Sequence, residues 1–333
     1  MVRPGPRNLI TDVDGILVGN AEDARVRTGT TVVLAETPAV AGVDVRGGAP
    51  GTRETALLDP VNLIERIDAI CLSGGSAFGL DAASGVMHFL AEQGRGFAIG
   101  PARVPLVPAA ILFDLLNGGD KSWTHEPPYR LLGRAAVAAA GHDFHLGNAG
   151  AGFGAVAGAL KGGLGSASIV AADGLQVGAL VAANPVGSAV DGKTGAFWAH
   201  ALAAPGEAND RRPTSPRTEF DLPPDMKRPQ VGANTTIGVI ATNATLDKAQ
   251  ATRIAIMAHD GLARAIRPVH TPTDGDTIFA LATARRPLDQ PAADALTRIG
   301  HLAADCVARA VMRAIMAAES LGNGIGYSSR YGE

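Results

Sequence analysis

Asn234 and Thr235 are the two residues that most clearly indicate a chemical function. They lie at the boundary between two very different stretches of sequence. The segment from Ala203 to Ala233 holds six of the 21 prolines among dense charges, a composition typical of a long exposed linker. Thr235 to Asn243 is β-branched and apolar, as in a buried strand. A cut between Asn234 and Thr235 would therefore remove no core contact.

Such a cut would place a hydroxyl and a free α-amine on the same residue, Thr235. An α-amine has an ordinary pKa of roughly 8 and can take the hydroxyl proton, which activates the oxygen as a nucleophile. A plainer interpretation stays open, in which Asn-Thr-Thr only ends a loop and begins a strand.

Two carboxylates lie further along the chain, in the turn from His270 to Thr277. Asp274 and Asp276 are two residues apart and precede a predicted strand, so both could face one site. One carboxylate could hold Thr235 and the second could brace the first. An Asp-Gly turn with solvated acids and a calcium loop are the alternatives.

An asparagine and a lysine are the remaining polar candidates. Asn184 follows a predicted strand and precedes Pro185, which biases it towards an extended conformation, and its amide could donate to an oxyanion. An Asn-Pro turn is the alternative. Lys161 is a lone cation in the Gly-rich stretch 147–165, where a desolvated amine could stabilise charge. A solvated surface lysine is the alternative there.

The segment Ser73 to Asp81 joins a strand to a helix through two glycines. It lacks the final glycine of the G-x-S-x-G elbow and matches neither phosphate-binding loop pattern. What remains is a helix N-terminus with free backbone N–H groups that could line a pocket. Gly74 and Gly75 are therefore predicted to form pocket wall, with no nucleophile among their neighbours.

The elements that must position these residues alternate between short β-rich runs and Ala-rich helical runs. Asp173-Gly174 predicts a two-residue turn between two antiparallel strands. The predicted strands are Gly29–Ala35, Ile67–Leu72, Ser166–Ala172, Leu175–Ala183, Thr235–Asn243 and Thr277–Ala284, and the predicted helices lie near Ala77–Gln93, Leu246–Ile266 and Ala292–Ser320.

Composition limits the class of protein. The chain has 333 residues, of which 42 are glycine and 4% are aromatic, so its interior must be packed from small side chains and backbone. This favours a layered α/β fold. A net charge of -3 gives no basic face for nucleic acid or membrane. Neither Cys71 nor Cys306 belongs to a C-x-x-C pair, so we expect no metal site, and no motif indicates a cofactor. Neither a signal sequence nor an apolar run of membrane-spanning length is evident, so we expect a cytoplasmic protein.

Taken together, these segments resemble the DmpA-like family of self-processing peptidases, which includes L-aminopeptidase/D-amidases, β-aminopeptidases and nylon-oligomer endohydrolases. The similarity runs from about Leu9 to Ala318. Its motifs are Asp44-Val45-Arg46-Gly47-Gly48, Leu72-Ser73-Gly74-Gly75-Ser76-Ala77-Phe78-Gly79-Leu80, Val107-Pro108-Ala109-Ala110-Ile111-Leu112-Phe113-Asp114, Asn148-Ala149-Gly150-Ala151-Gly152, Asn184-Pro185-Val186-Gly187, Asn234-Thr235-Thr236-Ile237 and Asp274-Gly275-Asp276-Thr277.

The resemblance implies a four-layer αββα sandwich similar to that of N-terminal-nucleophile hydrolases. It implies a large subunit, residues 1–234, and a small subunit, residues 235–333, that form one compact domain and assemble as a tetramer of such pairs. The family's cleaved bond and nucleophile correspond to Asn234 and Thr235. Its oxyanion asparagine corresponds to Asn184, its lysine to Lys161 and its acidic pair to Asp274 and Asp276.

The expected activity is hydrolysis of amide bonds in small peptides, amino-acid amides or ω-amino acid oligomers. Phe113 replaces a tyrosine that several relatives carry, so a hydroxyl that could bond the substrate is absent, and we expect Phe113 to contact substrate. Two other functions stay open. One is acyl transfer of the ornithine acetyltransferase type, and the other is a non-catalytic binding module on the same fold.

Overall fold

A computed structural model describes residues 2–123, 125–212, 222–223, 225–227 and 234–332. Its strands are β1 Val2–Pro4, β2 Ile16–Asp23, β3 Thr28–Val45, β4 Thr52–Arg53, β5 Arg66–Ser73, β6 Phe97–Ile99, β7 Ala102–Val104, β8 Ala109–Ile111, β9 Val156–Ala157, β10 Leu160–Lys161, β11 Gly163–Ala171, β12 Gln176–Asn184, β13 Thr235–Ala244 and β14 Thr277–Arg286. Its α-helices are α1 Ala82–Glu92, α2 Tyr129–Ala138, α3 Lys248–Ala265, α4 Ala292–Met316 and α5 Tyr327–Tyr331.

One hydrogen-bonded sheet runs in the order β1-β11-β12-β13-β14-β3-β5-β8-β4, and β2 joins it by pairing with β3. The 18-residue β3 connects its two halves. The second half of β3 pairs with β14, and the first half pairs with β2 and β5. The pairing with β5 shifts register between Leu34 and Ala39, where the exposed segment 36–38 contains Pro38, a residue without a backbone N–H. The strand therefore serves two packed β layers.

Alternating residues of the strands divide the interior into three apolar cores. Val32 of β3 faces α1 and α2, whereas Val33 faces the opposite β layer, where it meets residues such as Val239. Ile240, the next residue of β13, faces α3 and α4. The layer order is thus helices, sheet, sheet, helices, and it confirms the αββα sandwich that the resemblance implied.

The small residues of the sequence permit close approach between α4 and the sheet. A Cβ added to Gly165 of β11 would lie 1.9 Å from the carbonyl oxygen of Ala310 on α4. Such a distance is far inside van der Waals contact, so the helix could not pack there against any larger residue. The composition therefore matches the packing it predicted.

Strand β13 lies inside the sheet, antiparallel to β12 and parallel to β14. Its first residue, Thr235, pairs with Asn184, the last residue of β12. Asn234 forms a parallel bridge with Asp274, in the turn before β14. The register of these three strands therefore brings the ends that carry the predicted site residues to one edge.

Three predictions about elements need correction. The turn between β11 and β12 is longer than two residues, because Ala171 N–H bonds Leu175 O and Gly174 has a φ of 84°. The first turn of the helix predicted from Ala77 is a separate 3₁₀ helix, Ser76–Asp81. The linker prediction is wrong for part of its length, since Glu207 is buried, and residues 213–221, 224 and 228–233 lie outside the described residues.

No helix in the described part of the chain is long and apolar enough to cross a membrane.

Candidate active site

The bond between Asn234 and Thr235 is buried, and a hydroxyl and an N–H group lie against its carbonyl. Asn234 is 1% exposed and Thr235 is 2% exposed. Thr235 Oγ1 lies within hydrogen-bonding distance of the Asn234 carbonyl oxygen. The same oxygen accepts a hydrogen bond from Gly275 N–H at 3.0 Å. The hydroxyl is therefore next to a peptide carbonyl whose oxygen already accepts a backbone hydrogen bond, the kind of donor that stabilises negative charge on such an oxygen.

Gly275 brings this donor close because it has no side chain. A Cβ at this position would lie 2.7 Å from Thr235 Oγ1 and 2.7 Å from the carbonyl oxygen of Ala49. Both distances are shorter than real Cβ contacts. The Asp-Gly-Asp sequence therefore needs its glycine for space beside the hydroxyl.

Asp274 is fully buried and is held by three donors. Its Oδ1 accepts from Val186 N–H at 3.1 Å, and its Oδ2 accepts from the N–H and the hydroxyl of Thr271 at 3.0 and 2.6 Å. Burial, followed by the nearby charge of Asp276, raises the pKa of the Asp274 carboxyl. Asp274 therefore holds a proton more readily than an ordinary aspartate does.

Asp276 is equally buried and also receives three donors. Its Oδ1 accepts from Thr236 N–H at 2.7 Å. Its Oδ2 accepts from the backbone N–H of His270 at 3.1 Å and contacts His270 Nδ1 at 2.8 Å. Protein donors thus surround both carboxylates, an arrangement unlike a calcium loop. The described residues contain no group of three or more His, Cys, Asp or Glu side chains able to hold a metal ion.

Asn184 lies opposite Thr235 and is held by its own hydrogen bonds. Its Oδ1 accepts from Val156 N–H at 2.9 Å, and its Nδ2 donates to the carbonyl oxygen of Phe113 at 3.1 Å. An amide nitrogen carries two N–H groups, so one bond to Phe113 leaves the second for a substrate oxygen. The amide therefore keeps a donor of the kind that the predicted oxyanion role requires.

Lys161 is buried, at 1% exposure, and this excludes the solvated-lysine alternative. Its ammonium donates to the carbonyl oxygens of Gly152 and Gly162 at 3.1 and 2.6 Å. Burial lowers its pKa to about 7, and the charge of Asp114 partly opposes that shift. The hydrogen bonds of this ammonium therefore go to backbone carbonyls.

A cavity of about 200 Å³ reaches the acyl side of the Asn234–Thr235 bond. Phe113 lines it, where we predicted substrate contact. Gly74 and Gly75 lie one layer further away, since Gly75 N–H donates to Asp114 at 2.8 Å and a Cβ on Gly74 would collide with the same carboxylate. The cavity is lined by Phe113, Asp114, Leu116, Asn117, Gly154, Val156, Asn184, Lys227, Asn234 and Asn323.

Lys227 is a site residue that the sequence did not reveal. Its ammonium contacts the carbonyl oxygen of Asn184 at 3.1 Å and Asn184 Oδ1 at 3.2 Å. Burial lowers its pKa to about 7, opposed by the charge of Asp274. Its sequence position, among the charges of the predicted linker, carries no signal that separates it from solvated lysines. His270 was also missed, although its position six residues before Asp276, at the start of the same turn, could have indicated it.

Most of the predicted residues thus lie together at one site, and three of them lie behind the wall of its cavity. Asn184, Asn234, Thr235, Asp274 and Asp276 meet at adjoining strand ends, Phe113 lines the cavity, and Lys161, Gly74 and Gly75 lie behind its walls. Attack on an amide needs a hydroxyl close to the carbonyl carbon and a donor to the carbonyl oxygen. The Thr235 hydroxyl and the Gly275 N–H have these positions relative to the Asn234 carbonyl.

Two solved structures share this fold. A β-aminopeptidase from Burkholderia sp. matches with a TM-score of 0.73 at 23% identity, covering 100% of this chain and 94% of the other. The L-aminopeptidase D-Ala-esterase/amidase of Ochrobactrum anthropi, described as a variant of the Ntn hydrolase fold, matches with a TM-score of 0.67 at 22% identity, covering 95% and 88%. The expected fold class is thereby confirmed.

Sequence relatives are closer. An uncharacterized aminopeptidase of Mycobacterium tuberculosis is 47% identical over 334 residues, 94% of each chain. A 6-aminohexanoate-oligomer endohydrolase of Kocuria sp. is 33% identical over 289 residues, 84% of this chain and 76% of the relative. The model of peptidase family S58 matches residues 8–327. The chain therefore belongs to peptidase family S58, the DmpA-like family that its motifs indicated, and is a hydrolase of amide bonds.

Proposed function

We propose that the folded chain cuts its own Asn234–Thr235 bond and then uses Thr235 as an N-terminal nucleophile. The observation that carries this proposal is the contact between Thr235 Oγ1 and the Asn234 carbonyl, whose oxygen accepts the Gly275 N–H bond of 3.0 Å. Hydroxyl, carbonyl and oxyanion donor are thus assembled before any substrate arrives.

In the self-cleavage step, Thr235 Oγ1 attacks the Asn234 carbonyl carbon, and its proton passes, directly or through water, to the Thr235 nitrogen. The C–N bond breaks as the nitrogen receives that proton, and an ester joins Asn234 to the threonine oxygen. Water hydrolyses the ester, which leaves a carboxylate on Asn234 and a free amine on Thr235. The products are the large piece, residues 1–234, and the small piece, residues 235–333.

In turnover, Thr235 attacks a substrate amide in the same way. Its α-amine accepts the hydroxyl proton and passes it to the leaving amine. Asn184 and Gly275 N–H hold the oxyanion, and Asp274 and Asp276 keep the surrounding backbone in place. Water then hydrolyses the acyl-threonine.

The substrate we propose is a small peptide, amino-acid amide or amide oligomer. The mycobacterial relatives are named aminopeptidases, and the Kocuria relative is named a 6-aminohexanoate-oligomer endohydrolase. A cavity of about 200 Å³ beside Asn234 suits one small acyl group. Its aromatic wall, Phe113, favours an apolar portion on that group.

Denaturing electrophoresis of the purified protein tests the proposal, together with N-terminal sequencing of the smaller fragment. We expect two fragments, the smaller of which begins with Thr235. Thr235→Ala should leave one intact chain because the attacking oxygen is gone, and Thr235→Ser should still be cut. A wild-type chain that stays whole after long incubation would sink the proposal.

Acyl transfer is distinguished from hydrolysis by the fate of the acyl-threonine. Mass spectrometry of the products in the presence of an added amine acceptor should detect free acid. A dominant acyl-amine product would instead assign the site to a transferase.

A further inference from the structure

His270 has an unusual backbone conformation beside the acidic pair. Its φ is 55°, in the left-handed region that few residues other than glycine adopt, among them asparagine, aspartate and histidine more often than the rest. In this conformation its backbone N–H and its Nδ1 both reach Asp276 Oδ2, at 3.1 and 2.8 Å. Rare backbone conformations cost free energy and persist mainly where the surroundings enforce them, often at functional sites.

A second histidine holds the His270 ring in place. The rings of His259 and His270 meet edge to face, with centroids 4.9 Å apart. His259 is 3% exposed, and its Nε2 lies 3.0 Å from the Asp44 carbonyl oxygen. Burial lowers the pKa of His259 to about 4, so this ring is neutral at neutral pH. His270 therefore packs against a fixed, uncharged neighbour.

The Asp44–Gly48 motif, to which the sequence alone assigned no role, holds the main chain of Asp276. Arg46 N–H and Gly47 N–H donate to the carbonyl oxygen of Asp276 at 2.9 and 3.3 Å. These bonds fix the Asp276 main chain, while His270 fixes the orientation of its side chain.

We infer that His270 is a positioning residue for Asp276. By occupying Oδ2, His270 leaves Oδ1 directed at Thr236 N–H, 2.7 Å away. That bond holds the first peptide of β13, and so it sets the position of Thr235 Oγ1 relative to the Asn234 carbonyl. The inference rests on the proposed function and adds a residue to its machinery.

Two substitutions separate the imidazole from the backbone conformation. His270→Gly keeps the positive φ without strain but removes Nδ1. His270→Asn tolerates the same φ and places an amide N–H where Nδ1 lies. Ala284→Gly is the matched control, because Ala284 also has a φ of 55° and lies towards the far end of β14.

The measurements are the rate of self-cleavage, kcat and KM of the mature enzyme, and Tm. We expect His270→Gly to lower the cleavage rate and kcat by about 10- to 100-fold, as misplacement of a catalytic group does. KM should change little. His270→Asn should recover most of both rates, and Ala284→Gly should behave as wild type.

Three outcomes would overturn the inference. His270→Gly could cleave and turn over at the wild-type rates, His270→Asn could be as slow as His270→Gly, or Ala284→Gly could show the same losses. An intact wild-type chain is a different result, since it contradicts the proposed function itself.

Discussion

Among single residues, Lys161 is one whose environment strongly changes its acid-base behaviour. Its ammonium is buried against two carbonyl oxygens, and its pKa falls to about 7 from the ordinary 10.5. Between these two values the unfolded chain binds more protons than the folded chain. The free energy of unfolding should therefore rise with pH across this range. Below pH 7 the folded chain keeps the ammonium charged and buried, so the full destabilisation by this lysine is present there.

Lys161→Met tests this linkage in the Thr235→Ala background, which under the proposed function remains one intact chain. Over pH 7 to 9, urea denaturation of the background protein should give a free energy of unfolding that rises with a slope of up to about 1.4 kcal/mol per pH unit from this lysine. Lys161→Met should flatten that contribution. Lys227 is present in both proteins, so its own titration cancels in the comparison.

The exposed Lys193 provides a control for this measurement. Lys193→Met should leave the pH slope of the background protein unchanged. An equal slope in the background protein and in Lys161→Met would contradict the low pKa of Lys161.

A sequence can indicate a site residue when its partners lie near it in the chain or when it belongs to a motif of a known family. Asp274 and Asp276 are two apart, and Asn184 and Thr235 begin or end strands, so their meeting follows from strand register. Lys227 approaches Asn184 through a fold contact between distant segments. Nothing local in the sequence distinguishes it, and only the structure reveals it.

At the scale of elements, Gly275 lies in the turn before β14, where that turn meets the start of β13 and the loop at Ala49. Gly275→Ala should push Thr235 Oγ1 or the Ala49 carbonyl away, since the new Cβ would lie 2.7 Å from each. We expect self-cleavage to slow by about 100-fold or more, the effect of moving a reacting group by about 1 Å. Denaturing electrophoresis over time measures the rate.

Gly141→Ala is the matched control for Gly275→Ala. A Cβ at Gly141 meets no atom within 4 Å, so this variant should be cut at the wild-type rate. Unchanged cleavage in Gly275→Ala would show that the hydroxyl position seen beside Gly275 is not the reactive one.

The limits of sequence prediction are visible in the elements too. Periodicity predicts α3 and α4 well, because their apolar stripes are local patterns. It does not predict that β3 runs for 18 residues, because that length depends on pairing with β14 at one end and with β2 and β5 at the other. The turn at Asp173-Gly174 is longer than its sequence predicts for a related reason, because the register of the flanking strands decides the length of the loop.

For the whole molecule, the proposed cut falls within a sheet whose cores contain residues from both sides of the bond. Ala167 and Val177 pack in the same core as Ile240 and Val307. Strand β13 stays hydrogen-bonded to β12 and β14 whether or not Asn234 is attached. The two pieces should therefore remain together after cleavage and separate only when the fold is denatured.

A buried ion pair connects the pieces at a second point. Arg309 of α4 contacts both carboxylate oxygens of Glu207, at 2.6 and 2.7 Å, and also bonds the carbonyl oxygen of Ser168 and the side chain of Asn8. Both charged side chains are 4% exposed. Removing one partner would leave the other charge buried without compensation.

Glu207→Ala should therefore weaken the association of the two pieces. We expect a loss of about 3–5 kcal/mol in the free energy of unfolding, the usual effect of breaking one side of a buried pair. Size-exclusion chromatography of the cleaved protein across a urea series should show the pieces separating at lower urea than in wild type. Glu92→Ala, which breaks an exposed pair with Arg134, should leave that midpoint unchanged. Equal midpoints for wild type and Glu207→Ala would mean that the shared cores and the strand pairing of β13 hold the cleaved molecule together without help from this ion pair.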